Sequence, residues 1–281
     1  MSAAGQPPPS RRFADLRTRI LSAAAAAAAG ITLLYLGGYW TVALVAVACG
    51  AMAWEWRSVT LHGGGPCSVS AVPMVGAVAA GVAAYIWSVQ MGFAVLSLGL
   101  AVAAVLDLAA NRRAAAGWSL LGGLYLGGAG LALLSLRFGV DHGFRTALWL
   151  LVAVAAADIG GYFAGRMIGG PKLWPRVSPK KTWAGSVGGV TLAVLSGALF
   201  GWAFIPATGV ATICAASAGV AVVSQAGDLA ESALKRHFDV KDAGNILPGH
   251  GGALDRFDGL IAAAIAVGLV TWLRGDWVFI W

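Results

Sequence analysis

Long apolar segments alternate with shorter polar ones along almost the whole chain. Residues 20–54 contain no charge before Glu55, and this run is long enough for two membrane-spanning helices with a break near Gly37 and Gly38. Seven further segments each have about the length of a helix that crosses a bilayer, at residues 69–87, 92–110, 117–136, 146–165, 184–205, 209–228 and 257–273. The pattern therefore predicts an all-α polytopic membrane protein with about nine transmembrane helices.

The composition agrees with this class. Charged residues make up 11% of the chain and hydrophobic residues 59%, whereas a soluble domain carries roughly 25% charge. The 40 glycines predict tight helix packing, because small residues let membrane helices approach closely. Cys49, Cys67 and Cys214 show no metal-ligand spacing, and we expect them to be packing residues.

The basic residues indicate how the chain is oriented, because Lys and Arg collect on the cytoplasmic side of a membrane protein. With nine spans and a cytoplasmic N-terminus, sixteen of the nineteen Lys and Arg fall in inner segments, and the outer three are Arg137, Arg145 and Arg274. We therefore expect the N-terminus in the cytoplasm and the C-terminus outside. A net charge of +7 is typical of proteins with anionic partners, and in a membrane protein the alternative is this collection of topology-setting Lys and Arg; no nucleic-acid partner is expected.

One polar stretch, residues 227–258, holds six of the twelve acidic residues. Asp228, Glu231 and Lys235 share one face of a helix by their spacing, and Asp255 opens the next span. Two helices joined by one loop would thus bring carboxylates to the same membrane level. Carboxylates near Lys and Arg suit phosphate chemistry assisted by Mg²⁺. The alternative for Asp228 is an ion pair that caps a helix end at the membrane surface.

A second polar segment, residues 158–185, falls on the same predicted inner side. Asp158 lies within an apolar span, where a carboxylate is costly and is often functional; the alternative is a hydrogen bond to a neighbouring helix. Ser178, Lys180, Lys181 and Thr182 precede the seventh span, where a helix N-terminus can bind phosphate; the alternative is a topology-setting basic patch. Together the two segments predict a polar active site at the cytoplasmic membrane face.

Two other acidic residues, Glu55 and Asp107, lie at the ends of predicted spans. At such positions an ionisable side chain commonly anchors a helix in the interfacial layer. We expect that role for both residues.

The polar segments resemble a known family. Residues 232–258 read SALKRHFDVKDAGNILPGHGGALDRFD and closely resemble the signature of phosphatidate cytidylyltransferases. Residues 158–185 resemble a second block of that family, in which Y-F-x-G-R precedes S-P-K-K-T, although Ala184 stands where the family commonly has Glu. The resemblance implies a multi-pass enzyme of the bacterial inner (cytoplasmic) membrane. Such an enzyme transfers CMP from CTP to phosphatidic acid, giving CDP-diacylglycerol and pyrophosphate for phospholipid biosynthesis.

The resemblance also implies roles for individual residues. Asp228 and Asp255 would hold Mg²⁺, with the intramembrane Asp158 as a third candidate metal ligand, and a monovalent cation such as K⁺ stays open. The predicted catalytic residues are Asp228, Asp255, Lys235 and Arg236. The predicted substrate-binding residues are Ser178, Lys180, Thr182, Lys241, His250 and Arg256. His250 would position substrate rather than act as a base.

The same resemblance implies a homodimer in the lipid bilayer. The predicted spans and polar segments divide the chain into a basic cytoplasmic tail (1–19), N-terminal transmembrane helices (20–145) and a C-terminal transmembrane catalytic region (146–281). One alternative is a related CTP-dependent lipid kinase, or a cytidylyltransferase that acts on another lipid phosphate. Another is a transporter with Asp158 and Glu55 as coupling groups, but the sequence lacks the inverted repeats that are typical of transporters.

Overall fold

The structure, a computed structural model, describes residues 24–60, 67–139, 142–205, 209–246 and 251–274. Within these ranges the chain forms nine α-helices and two short β-strands. The helices are α1 (Ala24–Leu36), α2 (Gly38–Thr60), α3 (Cys67–Ile86), α4 (Val89–Ala109), α5 (Arg113–Phe138), α6 (Gly143–Met167), α7 (Trp183–Phe204), α8 (Val210–His237) and α9 (Leu254–Arg274). The strands, β1 (Lys172–Trp174) and β2 (Ser178–Thr182), lie between α6 and α7.

Seven of the described helices, α2 and α4 to α9, are long and apolar enough to cross a membrane. The chain is therefore an all-α polytopic membrane protein, as the hydropathy pattern predicts. The predicted break between the first two helices is also present, because Gly37 and Gly38 both adopt positive φ angles, of 70° and 53°, which glycine tolerates at little cost.

The largest difference in helix boundaries is at α8, which continues to His237, whereas its apolar segment ends at residue 228. Hydropathy marks where a helix leaves the apolar layer, but it does not mark where backbone hydrogen bonding stops. The polar residues after Asp228 are therefore part of the helix, beyond the predicted end of the span. This extension fixes the spacing of the side chains from Asp228 to Lys235.

A short antiparallel hairpin precedes α7, in the polar segment between the sixth and seventh predicted spans. Lys172 lies opposite Thr182, and Trp174 lies opposite Ser178. The Thr182 side chain then caps α7 by accepting a hydrogen bond from the Gly185 N–H at 3.1 Å. Because β1 has only three residues and β2 contains no large apolar residue, neither strand shows the alternating apolar pattern by which strands are found in a sequence.

Helices α6 and α7 pack through glycines with almost no space between their backbones. A Cβ atom on Gly160 would lie 2.5 Å from the Gly188 carbonyl oxygen, and one on Gly185 would lie 2.8 Å from the Gly161 carbonyl oxygen. Any larger side chain at these positions would force the helices apart. The glycines therefore allow the tight helix packing that the sequence predicts. This packing brings Asp158 and the hairpin together at one end of the bundle.

Helices α8 and α9 cross in the same way, beside the acidic residues. A Cβ atom on Gly227 would lie 2.8 Å from the Asp258 carbonyl oxygen, and one on Gly259 would collide with Ser224 Oγ. Gly227 directly precedes Asp228, and Gly259 directly follows Asp258. The close crossing therefore sets the distance between these two carboxylates.

A buried ion pair ties α2, α4 and α5 together. The Arg57 guanidinium donates to both Asp107 oxygens at 3.2 Å, and Ser119 Oγ donates to Asp107 Oδ2 at 2.8 Å. Asp107 is 0% exposed, so the expectation that it is an interfacial anchor is wrong. The carboxylate is buried because its partners come from two other helices, which a local sequence pattern does not reveal.

Candidate active site

The polar stripe predicted on α8 is present and faces the bundle. Lys235 Nζ lies 2.7 Å from Glu231 Oε2, one helical turn away, and Ser232 Oγ lies 3.5 Å from Asp228 Oδ1. Glu231 is only 4% exposed. A carboxylate buried to this degree requires compensating charge or donors, and Lys235 supplies part of that compensation.

Three carboxylates from two helices meet at the α8–α9 crossing. One oxygen from each of Asp228, Glu231 and Asp258 lies within 4.8 Å of the others. Glu231 Oε1 has no hydrogen-bond partner in the part of the chain that the structure describes. Like charges at this separation repel each other strongly in a partly buried setting. Because Mg²⁺ is bound through carboxylate oxygens, this group fits a divalent cation.

Asp158, on α6, joins this acidic region from a third helix. Its carboxylate lies close enough to Asp228, Asp258 and Lys181 for their charges to influence one another. Its side chain is exposed, in contrast to that of Glu231. The intramembrane carboxylate singled out in the sequence therefore lies beside the acidic group, where it adds negative charge.

Asp255 has different neighbours. Its Oδ1 atom lies 2.6 Å from Lys235 Nζ, and its two oxygens accept the Ala243 N–H at 3.3 and 3.0 Å. Asp255 thus holds Lys235 and the segment after α8, whereas Asp258 is the α9 residue that meets Asp228 and Glu231. The assignment of Asp255 as a metal ligand stays a prediction.

The hairpin contributes a lysine to the acidic group. Lys181 Nζ lies 2.5 Å from Asp228 Oδ2. Its neighbour Lys180 is exposed, since adjacent residues of a strand point to opposite faces. Ser178 is half-buried, and the buried Thr182 caps α7. If the sequence had indicated a strand here, Lys180 and Lys181 would have been predicted on opposite faces. It indicates none.

Three more of the predicted catalytic and substrate-binding residues lie on or next to α8 and α9. Arg236, Lys241 and Arg256 are exposed around the α8–α9 connection. His250 lies outside the described residues. Exposed cations beside an acidic metal-type group are suited to hold the oxygens of a phosphate chain.

Glu55 lies against the start of α9, a position that sequence reasoning misses. It is 1% exposed, and its Oε2 atom accepts the Leu254 N–H at 2.8 Å. The expectation that Glu55 is an interfacial anchor is therefore wrong. Its partner lies 199 positions further along the chain, so no local pattern could have revealed the contact.

The fold and the site together define a polytopic membrane protein with an acidic, lysine-flanked group suited to metal-assisted phosphate chemistry. The family model described as "Cytidylyltransferase family" matches residues 17–273. The chain therefore belongs to the cytidylyltransferase family, and it is a nucleotidyltransferase enzyme.

Individual relatives agree with this membership. The chain is 38% identical over 270 residues to the phosphatidate cytidylyltransferase of Brucella suis biovar 1 (strain 1330), and the match covers 90% of this chain and 92% of that protein. It is 39% identical over 145 residues to the phosphatidate cytidylyltransferase of Bacillus subtilis (strain 168), covering 52% of this chain and 54% of that one. A phosphatidate cytidylyltransferase of Helicobacter pylori is 39% identical over 142 residues, covering 50% and 53%.

Proposed function

We propose that this protein transfers CMP from CTP to phosphatidic acid, giving CDP-diacylglycerol and pyrophosphate for phospholipid biosynthesis. The observation that carries the proposal is the group of Asp228, Glu231 and Asp258, with Lys181 and Lys235 against it. Family membership and the printed names of the relatives support the same reaction.

The chemistry is an in-line displacement between two anions. An oxygen of the lipid phosphate attacks the α-phosphorus of CTP, the bond from that phosphorus to the bridging oxygen breaks, and pyrophosphate leaves. A phosphate monoester is largely ionised near neutral pH, so the reaction needs no strong general base. The residues must instead offset the repulsion between two anions and hold them in line.

The basic side chains divide this task by position. The Lys235 ammonium has three donors, and contacts with Glu231 and Asp255 hold it in place. Arg236 and Lys241 are exposed beside it and would take the triphosphate and the leaving pyrophosphate. Ser178, Lys180 and Thr182 would bind substrate from the hairpin, and Arg256 would bind it from α9. His250 would position a substrate.

Mg²⁺ is the cation that this oxygen-rich group suits. Asp228, Glu231 and Asp258 would hold it, with Asp158 close by. Bound there, the ion would supply positive charge to phosphate oxygens. Asp255 would act mainly through Lys235 and Ala243, which it contacts directly. A monovalent cation such as K⁺ beside the Mg²⁺ is compatible with the four acidic side chains.

The proposed setting is the bacterial inner membrane, with nine spans, a cytoplasmic N-terminus, an outer C-terminus and the site at the cytoplasmic face. Contacts at the two ends of the bundle support the alternating direction of the spans in this proposal. Glu55 meets Leu254 at the end that carries the site, and Arg137 donates to the Leu34 carbonyl at 2.9 Å at the opposite end. We include a homodimer in this proposal on the resemblance alone.

Reconstituted protein tests the reaction. Purified full-length chain in proteoliposomes should convert CTP and phosphatidic acid to equimolar CDP-diacylglycerol and pyrophosphate, and only with a divalent cation. Omission of phosphatidic acid should stop pyrophosphate release. Pyrophosphate formation without a CDP-lipid product would contradict the proposal.

A further inference from the structure

Three consecutive residues near the end of α2 contact three separate parts of the protein. Glu55 accepts the Leu254 N–H, Trp56 Nε1 donates to the Trp118 carbonyl at 2.9 Å, and Arg57 pairs with Asp107. Successive residues of a helix point about 100° apart, so one turn of α2 can reach α9, α5 and α4 together. Because Trp56 and Arg57 fix α2 against α5 and α4, Glu55 is held rigidly where it meets α9.

Two residues that face the Glu55 carboxyl group are glycines, with no space for a Cβ atom. A Cβ atom on Gly244 would lie 2.5 Å from Glu55 Oε1, and one on Gly252 would lie 3.0 Å from Glu55 Oε2. The same Cβ on Gly252 would lie 2.7 Å from Asp255 Oδ2. The Glu55 carboxyl group therefore lies against Gly244 and Gly252 in the connection between α8 and α9, next to Asp255.

Glu55 is connected to Asp255 and Lys235 through the first turn of α9. It accepts the N–H of Leu254, the residue directly before Asp255, and α9 begins there. Asp255 in turn holds Lys235 Nζ at 2.6 Å and the Ala243 N–H at 3.0 Å. A shift of the α9 start would move Asp255, and with it the lysine between α8 and α9.

We propose that Glu55 is a positioning residue for the cytidylyl transfer: its hydrogen bond to Leu254 fixes Asp255 and Lys235 in the arrangement that the reaction requires. This inference rests on the proposed function. The property of Glu55 that matters is a hydrogen-bond acceptor oxygen on a side chain long enough to reach the Leu254 N–H. Its second oxygen, Oε1, has no hydrogen-bond partner in the described ranges, so an NH₂ group there would break no contact seen in the structure.

Three substitutions separate this role from the alternatives. Glu55→Gln keeps an acceptor at the same reach, Glu55→Asp keeps the charge on a shorter side chain, and Glu55→Ala removes both. We expect kcat, measured per folded protein, to fall about 10²-fold in Glu55→Ala and Glu55→Asp, since a small misplacement of reacting groups can cost that much. Glu55→Gln should retain kcat within about threefold, because the hydrogen bond is kept. Amide exchange at Leu254 should speed up in the Ala and Asp variants only.

Thr41→Val is the matched control, since Thr41 is a buried polar residue at the other end of α2 that donates to the Leu33 carbonyl at 3.0 Å. Its folded fraction should keep the wild-type kcat. Wild-type kcat in every folded Glu55 variant would overturn this inference but leave the proposed function intact. Activity in Glu55→Asp without activity in Glu55→Gln would have the same consequence. A wild-type protein that forms no CDP-lipid would overturn the proposed function and this inference with it. If Glu55→Ala does not fold, the Asp and Gln variants decide the outcome.

Discussion

Lys181, on the strand before α7, lies with its Nζ atom 2.5 Å from Oδ2 of Asp228, on α8. This pair connects the two polar segments that the sequence places on the same side of the membrane. Both side chains are partly exposed, at 24% and 36%, so the contact alone adds little to stability. Its significance lies in placing a positive charge against the carboxylate group proposed to handle phosphates.

We expect Lys181→Ala to lower kcat by roughly 10²-fold, the usual effect of removing one donor that stabilises developing charge. Lys181→Arg should recover part of that loss, because it restores the charge with a different shape. Steady-state rates of CDP-lipid formation check both variants. Lys172→Ala, an exposed lysine on the neighbouring strand, is the control and should remain close to wild type. Equal rates in Lys181→Ala and wild type would remove Lys181 from the site.

A Mg²⁺ titration distinguishes the two carboxylates of α9. Asp258→Asn should raise the Mg²⁺ concentration for half-maximal activity by at least about 10-fold, as loss of a ligand weakens metal binding. Asp255→Asn should lower kcat instead, since Asp255 contacts Lys235 and Ala243. Asp239→Asn serves as an exposed control. A raised Mg²⁺ requirement in Asp255→Asn, with a normal one in Asp258→Asn, would favour the sequence-based assignment of Asp255 as the ligand.

The features that could be predicted from the sequence depend on local properties of the chain. The apolar segments predict the positions of the helices, and the turn at Gly37 and Gly38 appears where predicted, since hydropathy and glycine conformation are local properties. The stripe from Asp228 to Lys235 follows from helical spacing in the same way. These elements could be read from single stretches of chain.

The missed features depend on distant partners. Glu55 and Asp107 are buried because Leu254 and Arg57 come from other helices. The grouping of Asp258 with Glu231, with Asp255 directed to Lys235, depends on how α8 and α9 cross. Spacing within one helix does not determine that crossing, so the sequence predicted a carboxylate site without determining which carboxylates meet.

Gly227, one of the glycines at the crossing of α8 and α9, allows a test of how the distance between these helices affects the reaction. In Gly227→Ala the new Cβ would lie 2.6 Å from Ala262 Cβ and 2.8 Å from the Asp258 carbonyl oxygen, so α8 and α9 must separate. Because this moves Asp228 away from Asp258, we expect kcat to fall about 10-fold or more even in folded protein. Gly219→Ala is the matched control on the same helix, since nothing lies within 4 Å of its Cβ position. Equal activity in the two variants would show that the crossing distance does not matter for the reaction.

The buried pair of Arg57 and Asp107 should contribute to stability. Asp107→Ala leaves the Arg57 charge buried without this partner, and we expect the free energy of unfolding to fall by about 3–5 kcal/mol. Thermal or denaturant unfolding in detergent measures it. Asp242→Ala, an exposed acidic residue, should change stability by less than about 0.5 kcal/mol. A loss of the same small size in both variants would contradict the assignment of Asp107 to a stabilising ion pair.

The position of an isotopic label in the products tests the proposed reaction most directly. Reconstituted protein is given phosphatidic acid, Mg²⁺ and CTP labelled with ³²P at either the α- or the γ-phosphate. Cytidylyl transfer predicts that the α-label enters the lipid as CDP-diacylglycerol and that the γ-label leaves in pyrophosphate, with both signals lost in Asp228→Asn. Transfer of the γ-label to a lipid would contradict the account and identify a CTP-dependent lipid kinase.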